Sequence, residues 1–142
     1  MSVHVEGACL CGSVKVSAEL PDRSVEVCHC TRCRQWVGGP YISTQGVKGF
    51  TLEGEEHVRT YRSSDHAERG FCGSCGSALF FHFLPSGGRS FMAGLFPALD
   101  TSEDCAEEIF IDEKPGYYSL EGDRPRKTGA ECLALLRKAL DA

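Results

Sequence analysis

The sequence predicts a mainly β protein of small antiparallel sheets with one short C-terminal helix. Three observations carry that prediction. Val14, Val16, Ala18 and Leu20 alternate with Lys15, Ser17 and Glu19, the period of a strand with one buried face. Beyond them, short apolar runs recur between turn residues: Tyr41-Ile42-Ser43, Phe50-Thr51-Leu52, Val58-Arg59-Thr60-Tyr61 and an aromatic stretch from Ala78 to Leu84. Helical periodicity is found only at the C-terminus.

In chain order, Cys9-Leu10-Cys11-Gly12 forms the turn entering the first strand. Pro21-Asp22-Arg23-Ser24 is a turn by composition. Val25-Glu26-Val27 then runs extended into Cys28-His29-Cys30-Thr31-Arg32-Cys33. Gly38-Gly39-Pro40 breaks the chain after Trp36, which reads as core. Phe80, Phe81 and Phe83 read as a strand buried on both faces. Pro85-Ser86-Gly87-Gly88 turns the chain, and Ser90 to Phe96 is the returning strand. Asp100 to Asp104 is a polar turn, and Ile109-Phe110-Ile111 is a further short strand stopped by Lys114-Pro115-Gly116. Thr128-Gly129-Ala130-Glu131 fits a capping box opening a helix over about 129–141, with Leu133, Leu136 and Leu140 on one face with Ala130. With no repeat and no linker, the expectation is one domain over 1–142.

Composition narrows the function. A net charge of −5 lacks the electrostatic footprint of a nucleic-acid binder, and the one basic run is the short Arg124-Pro125-Arg126-Lys127. No apolar stretch approaches the roughly 18 residues of a membrane span. Met1-Ser2-Val3-His4-Val5-Glu6 has neither the positive nor the apolar region of a secretory leader. The expected location is cytoplasmic, where thiols stay reduced and clustered cysteines more often bind metal than pair as disulfides. Nine cysteines, an odd number, also exclude a complete set of disulfides within one chain.

Seven of those nine cysteines fall in tight clusters: Cys9 and Cys11; Cys28, Cys30 and Cys33; Cys72 and Cys75. Structural zinc takes four Cys or His ligands, whereas catalytic zinc keeps three and an open position, so seven thiols divide as four plus three. Spacing alone leaves the partition open. The outer pairs can join, leaving Cys28, Cys30 and Cys33 together; or Cys9 and Cys11 can join Cys28 and Cys30, leaving Cys33 with Cys72 and Cys75. Either way one closed and one open site result. Three thiolates blunt a metal's Lewis acidity, so the open site suits binding and deprotonating a small thiol better than activating water. Cys105, Cys132, His4, His57, His66 and His82 lack motif context and read as non-ligands, with Cys132 packed on the C-terminal helix.

These motifs resemble the glutathione-dependent formaldehyde-activating (GFA) family, also called the CENP-V/GFA domain. The matching residues are Gly7-Ala8-Cys9-Leu10-Cys11-Gly12-Ser13-Val14, Cys28-His29-Cys30-Thr31-Arg32-Cys33-Arg34 with Gly38, Tyr61-Arg62-Ser63-Ser64, and Arg69-Gly70-Phe71-Cys72-Gly73-Ser74-Cys75-Gly76 with Leu79-Phe80. The resemblance spans roughly Gly7 to Tyr118. It implies a zinc-containing β-tent fold, a structural zinc on Cys9, Cys11, Cys72 and Cys75, and a second, more labile zinc on Cys28, Cys30 and Cys33. It further implies a carbon–sulfur lyase that joins glutathione or a similar small thiol to formaldehyde or another small aldehyde. In that chemistry His29 is the expected proton donor or relay. Arg32, Arg34 and Arg69 are candidates to grip the thiol's carboxylates. The chain departs from the family at Glu108, where many relatives carry histidine, at Tyr117-Tyr118, where many carry tryptophan, and at Thr31, where serine is commoner. Two other classes stay open on sequence: a non-catalytic zinc-stabilised interaction module and a thiol redox sensor.

Overall fold

The computed structural model describes residues 2–141; Met1 and Ala142, the ends of the expected domain, lie outside them. Strands β1 to β5 are Val3–Ala8, Lys15–Leu20, Val25–Cys28, Tyr41–Thr44 and Gly49–Glu53. Strands β6 to β9 are Val58–Ser64, Ala67–Cys72, Ala78–Phe83 and Gly88–Phe91, and β10 and β11 are Cys105–Ile109 and Arg126–Lys127. Helix α1 is Thr31–Val37 and α2 is Gly129–Asp141. The strands form three sheets, ordered β1-β2-β5, β11-β10-β3-β4 and β6-β7-β8-β9. Two compact units result, one from residues 2–24 and Ser43–Glu103, the other from Val25–Ile42 and residues 104–141.

The first unit holds the β1-β2-β5 and β6-β7-β8-β9 sheets, antiparallel throughout. Val16, Ala18 and Leu20 all turn inward from β2, as their alternation requires. The fully buried Phe91 is the hub. Its ring meets those of Phe50, Phe80 and Phe96 edge-on at 5.3, 5.9 and 6.3 Å. Phe80 reaches that position by lying over the backbone of Gly70, where a Cβ would come within 2.3 Å of the ring. Two expectations are corrected here. β8 is not buried on both faces: Leu79 and Phe80 are core, whereas Phe81 and Phe83 are half-buried. The returning strand stops at Phe91, and a 3-10 turn over Ala93–Leu95 instead carries Leu95 and Phe96 into the core.

In the second unit β10 runs parallel to both β3 and β11, unlike the expected antiparallel pairing. Parallel neighbours need a long crossover, and the chain between β3 and β10 is amply long to supply one. The parallel register sets Glu107 beside Glu26, Glu108 beside Val27 and Ile109 beside Cys28. Burial, then the neighbouring Glu107, pushes the Glu26 carboxyl up to about 7, while Lys127 holds Glu107 at 2.7 Å.

Helix α1 corrects the expectation that only the C-terminus is helical. Cys30 caps it, its sulfur accepting from the Cys33 N–H at 3.4 Å, and Gly38 ends it in the left-handed conformation (φ 84°). The expected strand at Ile109-Phe110-Ile111 ends at Ile109, because Phe110 takes a left-handed φ of 55° and Ile111–Glu113 coils into a 3-10 turn. Helix α2 opens with the expected box: Glu131 N–H donates to Thr128 Oγ1 at 3.2 Å, and Thr128 N–H donates to Glu131 Oε1 at 3.1 Å. Leu133 and Leu140 on its leucine face remain exposed.

Candidate metal centres

In the first unit, the turns that follow β1 and β7 bring Cys9, Cys11, Cys72 and Cys75 together, all four sulfurs within 4.8 Å of one another. The Cys11 sulfur lies 3.7 Å from that of Cys9 and 3.9 Å from that of Cys72. Both turns are knitted by backbone bonds: Gly12 N–H to Cys9 O at 3.0 Å, and Gly76 N–H to Cys72 O at 2.8 Å. Ser77 joins them, its hydroxyl accepting from the Leu10 N–H at 3.0 Å and lying 3.2 Å from the Cys75 sulfur. Electrostatics divides the set. Burial raises the Cys9 thiol, whereas hydrogen bonds from Ser77 lower Cys75 to about 5 and Ser13 lowers Cys11. Four convergent sulfurs suit a closed tetrahedral site for a soft metal ion.

In the second unit, Cys28 ends β3, Cys30 caps α1 and Cys33 sits in its first turn, again with sulfurs within 4.8 Å of one another. Cys28 and Cys33 are buried and Cys30 half-buried. The adjoining Cys30 and Cys33 thiols, with burial, drive the Cys28 thiol far up. Three ionised sulfurs so close need a cation, and such a site gains protons when it loses its metal. Among the described residues no imidazole or carboxylate joins either cluster, and Cys105 and Cys132 belong to neither.

The three candidate arginines lie in different settings. Arg32 is exposed on α1. Arg34 braces the turn: its Nε donates to the His29 carbonyl at 2.9 Å and its Nη2 to the Glu113 carbonyl at 3.2 Å. Arg69 belongs to the first unit, buried on β7, with Nε bonded to Ser63 Oγ at 3.1 Å and its guanidinium 5.3 Å from the Phe81 ring centre. Trp36 is half-buried and stacks on Tyr41, ring centres 6.1 Å apart.

His29, between Cys28 and Cys30, is fully buried and uses both ring nitrogens. Nε2 lies 2.7 Å from Glu108 Oε1 and Nδ1 lies 2.8 Å from the Tyr118 hydroxyl. Glu108, 1% exposed, uses its other oxygen to accept from Arg124 Nη1 at 2.7 Å and Arg126 Nε at 2.9 Å. Burial pushes its carboxyl up, but the bonds from Arg124, His29 and Arg126 outweigh burial and hold it below the ordinary carboxylate range. Tyr118 stacks on His29 with ring centres 5.5 Å apart, and Lys114 Nζ holds its carbonyl at 2.6 Å. Glu108, Tyr118, Arg124 and Arg126 escaped sequence reasoning as a set. The available signal was Arg124-Pro125-Arg126, two guanidiniums two residues apart, which meet one acidic residue in a strand of the same sheet.

A family model described as glutathione-dependent formaldehyde-activating enzyme matches residues 4–113. The chain belongs to this family. Among curated proteins, it is 32% identical over 114 residues to an uncharacterised lyase of Schizosaccharomyces pombe, covering 80% of this chain and 82% of that one. It is also 32% identical over 85 residues to a putative glutathione-dependent formaldehyde-activating enzyme of Halomonas elongata, covering 54% of each. A crystal structure of a Rhodobacter sphaeroides protein superimposes with a TM-score of 0.54 at 20% identity, over 68% of this chain and 91% of that one, a likeness of fold alone. The mainly β family fold with a short C-terminal helix is the one the sequence predicts.

Proposed function

We propose that this family member is a zinc-dependent carbon–sulfur lyase that forms or cleaves the adduct of a small thiol, such as glutathione, with a small aldehyde, such as formaldehyde. The observation that carries the reading is the three-thiol cluster beside a buried histidine network, in a chain whose curated relatives include an uncharacterised lyase and a protein named for glutathione-dependent formaldehyde activation. The family match crosses both compact units, which supports treating them as one functional domain.

In this reading Cys9, Cys11, Cys72 and Cys75 hold a structural zinc, and Cys28, Cys30 and Cys33 hold a second. The all-sulfur donor sets suit zinc, and a zinc ion on three thiolates would favour the ionised form of an incoming thiol. Adduct formation makes a C–S bond from a sulfur lone pair. The carbonyl π pair moves to oxygen, which takes up the proton the thiol gave. Arg32, exposed one residue before Cys33, is our first assignment for the thiol's carboxylate, with Arg34 and Arg69 as the other candidates. His29 holds or passes a proton at Nδ1, since Glu108 occupies Nε2. We assign the protein to the cytoplasm; no described helix is long and apolar enough to cross a membrane.

Calorimetric titration of the zinc-loaded protein with reduced glutathione tests the reading, with Cys30→Ser as control. Saturable binding lost in the variant is expected. Equal binding by both proteins, or none by the parent, would overturn it.

A further inference from the structure

The carboxylate and imidazole atoms of the buried network are all committed inward. Glu108 gives Oε1 to His29 and Oε2 to Arg124 and Arg126. His29 is sealed from solvent and gives Nε2 to Glu108 and Nδ1 to Tyr118. Of the carboxylate, the imidazole and the phenol, the Tyr118 hydroxyl is therefore the group placed to add a hydrogen bond to a bound molecule. Its ring is only partly covered, with the neighbouring Tyr117, 77% exposed, edge-on at 5.5 Å. Its hydroxyl is held by a histidine flanked on both sides by thiols of the three-cysteine cluster.

Building on the function proposed above, we infer that Tyr118 determines specificity by hydrogen-bonding the oxygen of the thiol–aldehyde adduct, with His29 and Glu108 positioning its hydroxyl. A hydroxyl both donates and accepts, so it can follow that oxygen as it changes between carbonyl and alcohol. Lys114 and the His29 stack fix the tyrosine ring, and the Glu108–Arg124–Arg126 cluster fixes the imidazole. A phenol anchored at its oxygen by a buried ring has few alternative directions, which is what discrimination for an oxygen at one place requires.

Stable thioethers give a readout independent of turnover. S-(2-hydroxyethyl)glutathione carries a hydroxyl where the similarly sized S-propylglutathione carries a methyl. Calorimetry on the zinc-loaded full chain should find the hydroxylated ligand tighter by about three- to tenfold, the worth of one good hydrogen bond. Tyr118→Phe should erase that ratio while leaving zinc content and S-propylglutathione affinity unchanged, with a lower melting temperature because the buried His29 loses its Nδ1 partner. An equal preference in parent and Tyr118→Phe overturns the inference and leaves the thiol-binding reading intact, as does a parent that binds both thioethers equally. A parent that binds neither thioether nor glutathione removes the functional reading, and the inference with it. Glu108→Gln is the second variant. It keeps Tyr118 but disturbs its support, and the ratio should fall toward the Tyr118→Phe value.

Discussion

The two cysteine clusters use the same donor atom at similar separations, yet their surroundings differ in kind. The four-cysteine set joins turns more than sixty residues apart in sequence, and its neighbours are backbone amides and serine hydroxyls. The three-cysteine set is local, from the end of β3 to the first turn of α1. It brackets in sequence a histidine tied into a buried network of tyrosine, carboxylate and two guanidiniums. A cross-link between distant turns contributes to folding by closing a large loop. A local cluster closes almost none, so its cost in buried charge has to be explained by something other than stability. On the function proposed above, that contrast would separate a metal site that makes the fold from one that the fold makes.

The largest expected effect tests the first half. Cys75→Ser removes one of four ligands from the site joining the two turns, and structural zinc contributes on the order of 10 kcal/mol in small metal-dependent folds. Loss of the cooperative thermal transition, with zinc falling out on gel filtration, is the expected outcome. A soluble Cys75→Ser protein with a parental melt would show that the loops hold themselves. Next in size is Glu108→Ala, which strands Arg124 and Arg126 beside a buried imidazole. Removing one partner of such a cluster typically costs about 3–5 kcal/mol, with the lower figure apt because Arg126 is 34% exposed. Glu108 titrates below its unfolded value, so its contribution is present above the ordinary carboxylate range and lost as pH falls through the folded value. Urea denaturation should therefore show the parent–variant gap closing in acid, and a gap independent of pH would mean the carboxylate charge is irrelevant.

Legibility in the sequence followed the range of the interactions. β2 and the α2 capping box were readable because each is specified by residues within one element, and Val14 to Leu20 and Thr128 to Glu131 carry their own signals. β1 carries a shorter version of the same signal, Val3 and Val5 alternating with His4 and Glu6 before Gly7 ends the pattern. Helix α1 was hidden because its cap is Cys30, outside the usual Ser, Thr, Asp and Asn set, and its stretch has no apolar period. Strand β7 was hidden because buried Arg69 interrupts its apolar face, a charge paired only through the fold. The clusters themselves were visible as spacing. The His29 network was not, because it joins β3, β10, the loop bearing Tyr118, and the segment around β11, and no local pattern announces a parallel register between strands so distant in sequence.

The same register supplies a third, smaller test within the second sheet. Glu26 lies beside Glu107 with its carboxyl raised to about 7 by burial and by that neighbour. A carboxyl raised on folding contributes stability that is complete below its unfolded value and lost as pH rises through the folded one. Glu26→Gln should thus stabilise the protein at pH 8 by roughly 1–3 kcal/mol and make little difference near pH 4.5. A thermal shift of equal size at both values would mean the Glu26 carboxyl is not raised on folding.

The smallest expected effect on stability decides the comparison. Cys30→Ser removes a ligand of the local cluster but leaves a residue fit to cap α1, since serine is among the preferred capping side chains and can accept from the Cys33 N–H in place of sulfur. The variant should melt within about 1 kcal/mol of the parent while its zinc content, measured by mass spectrometry under native conditions, falls from two ions to one. If melting collapses as in Cys75→Ser, the second cluster is also structural, and the buried imidazole network would be a device for holding the fold. If melting is kept and one zinc is lost, the protein carries a metal centre its fold does not need. The ordered apparatus of His29, Glu108, Arg124, Arg126 and Tyr118 beside that centre is then best explained by what it binds.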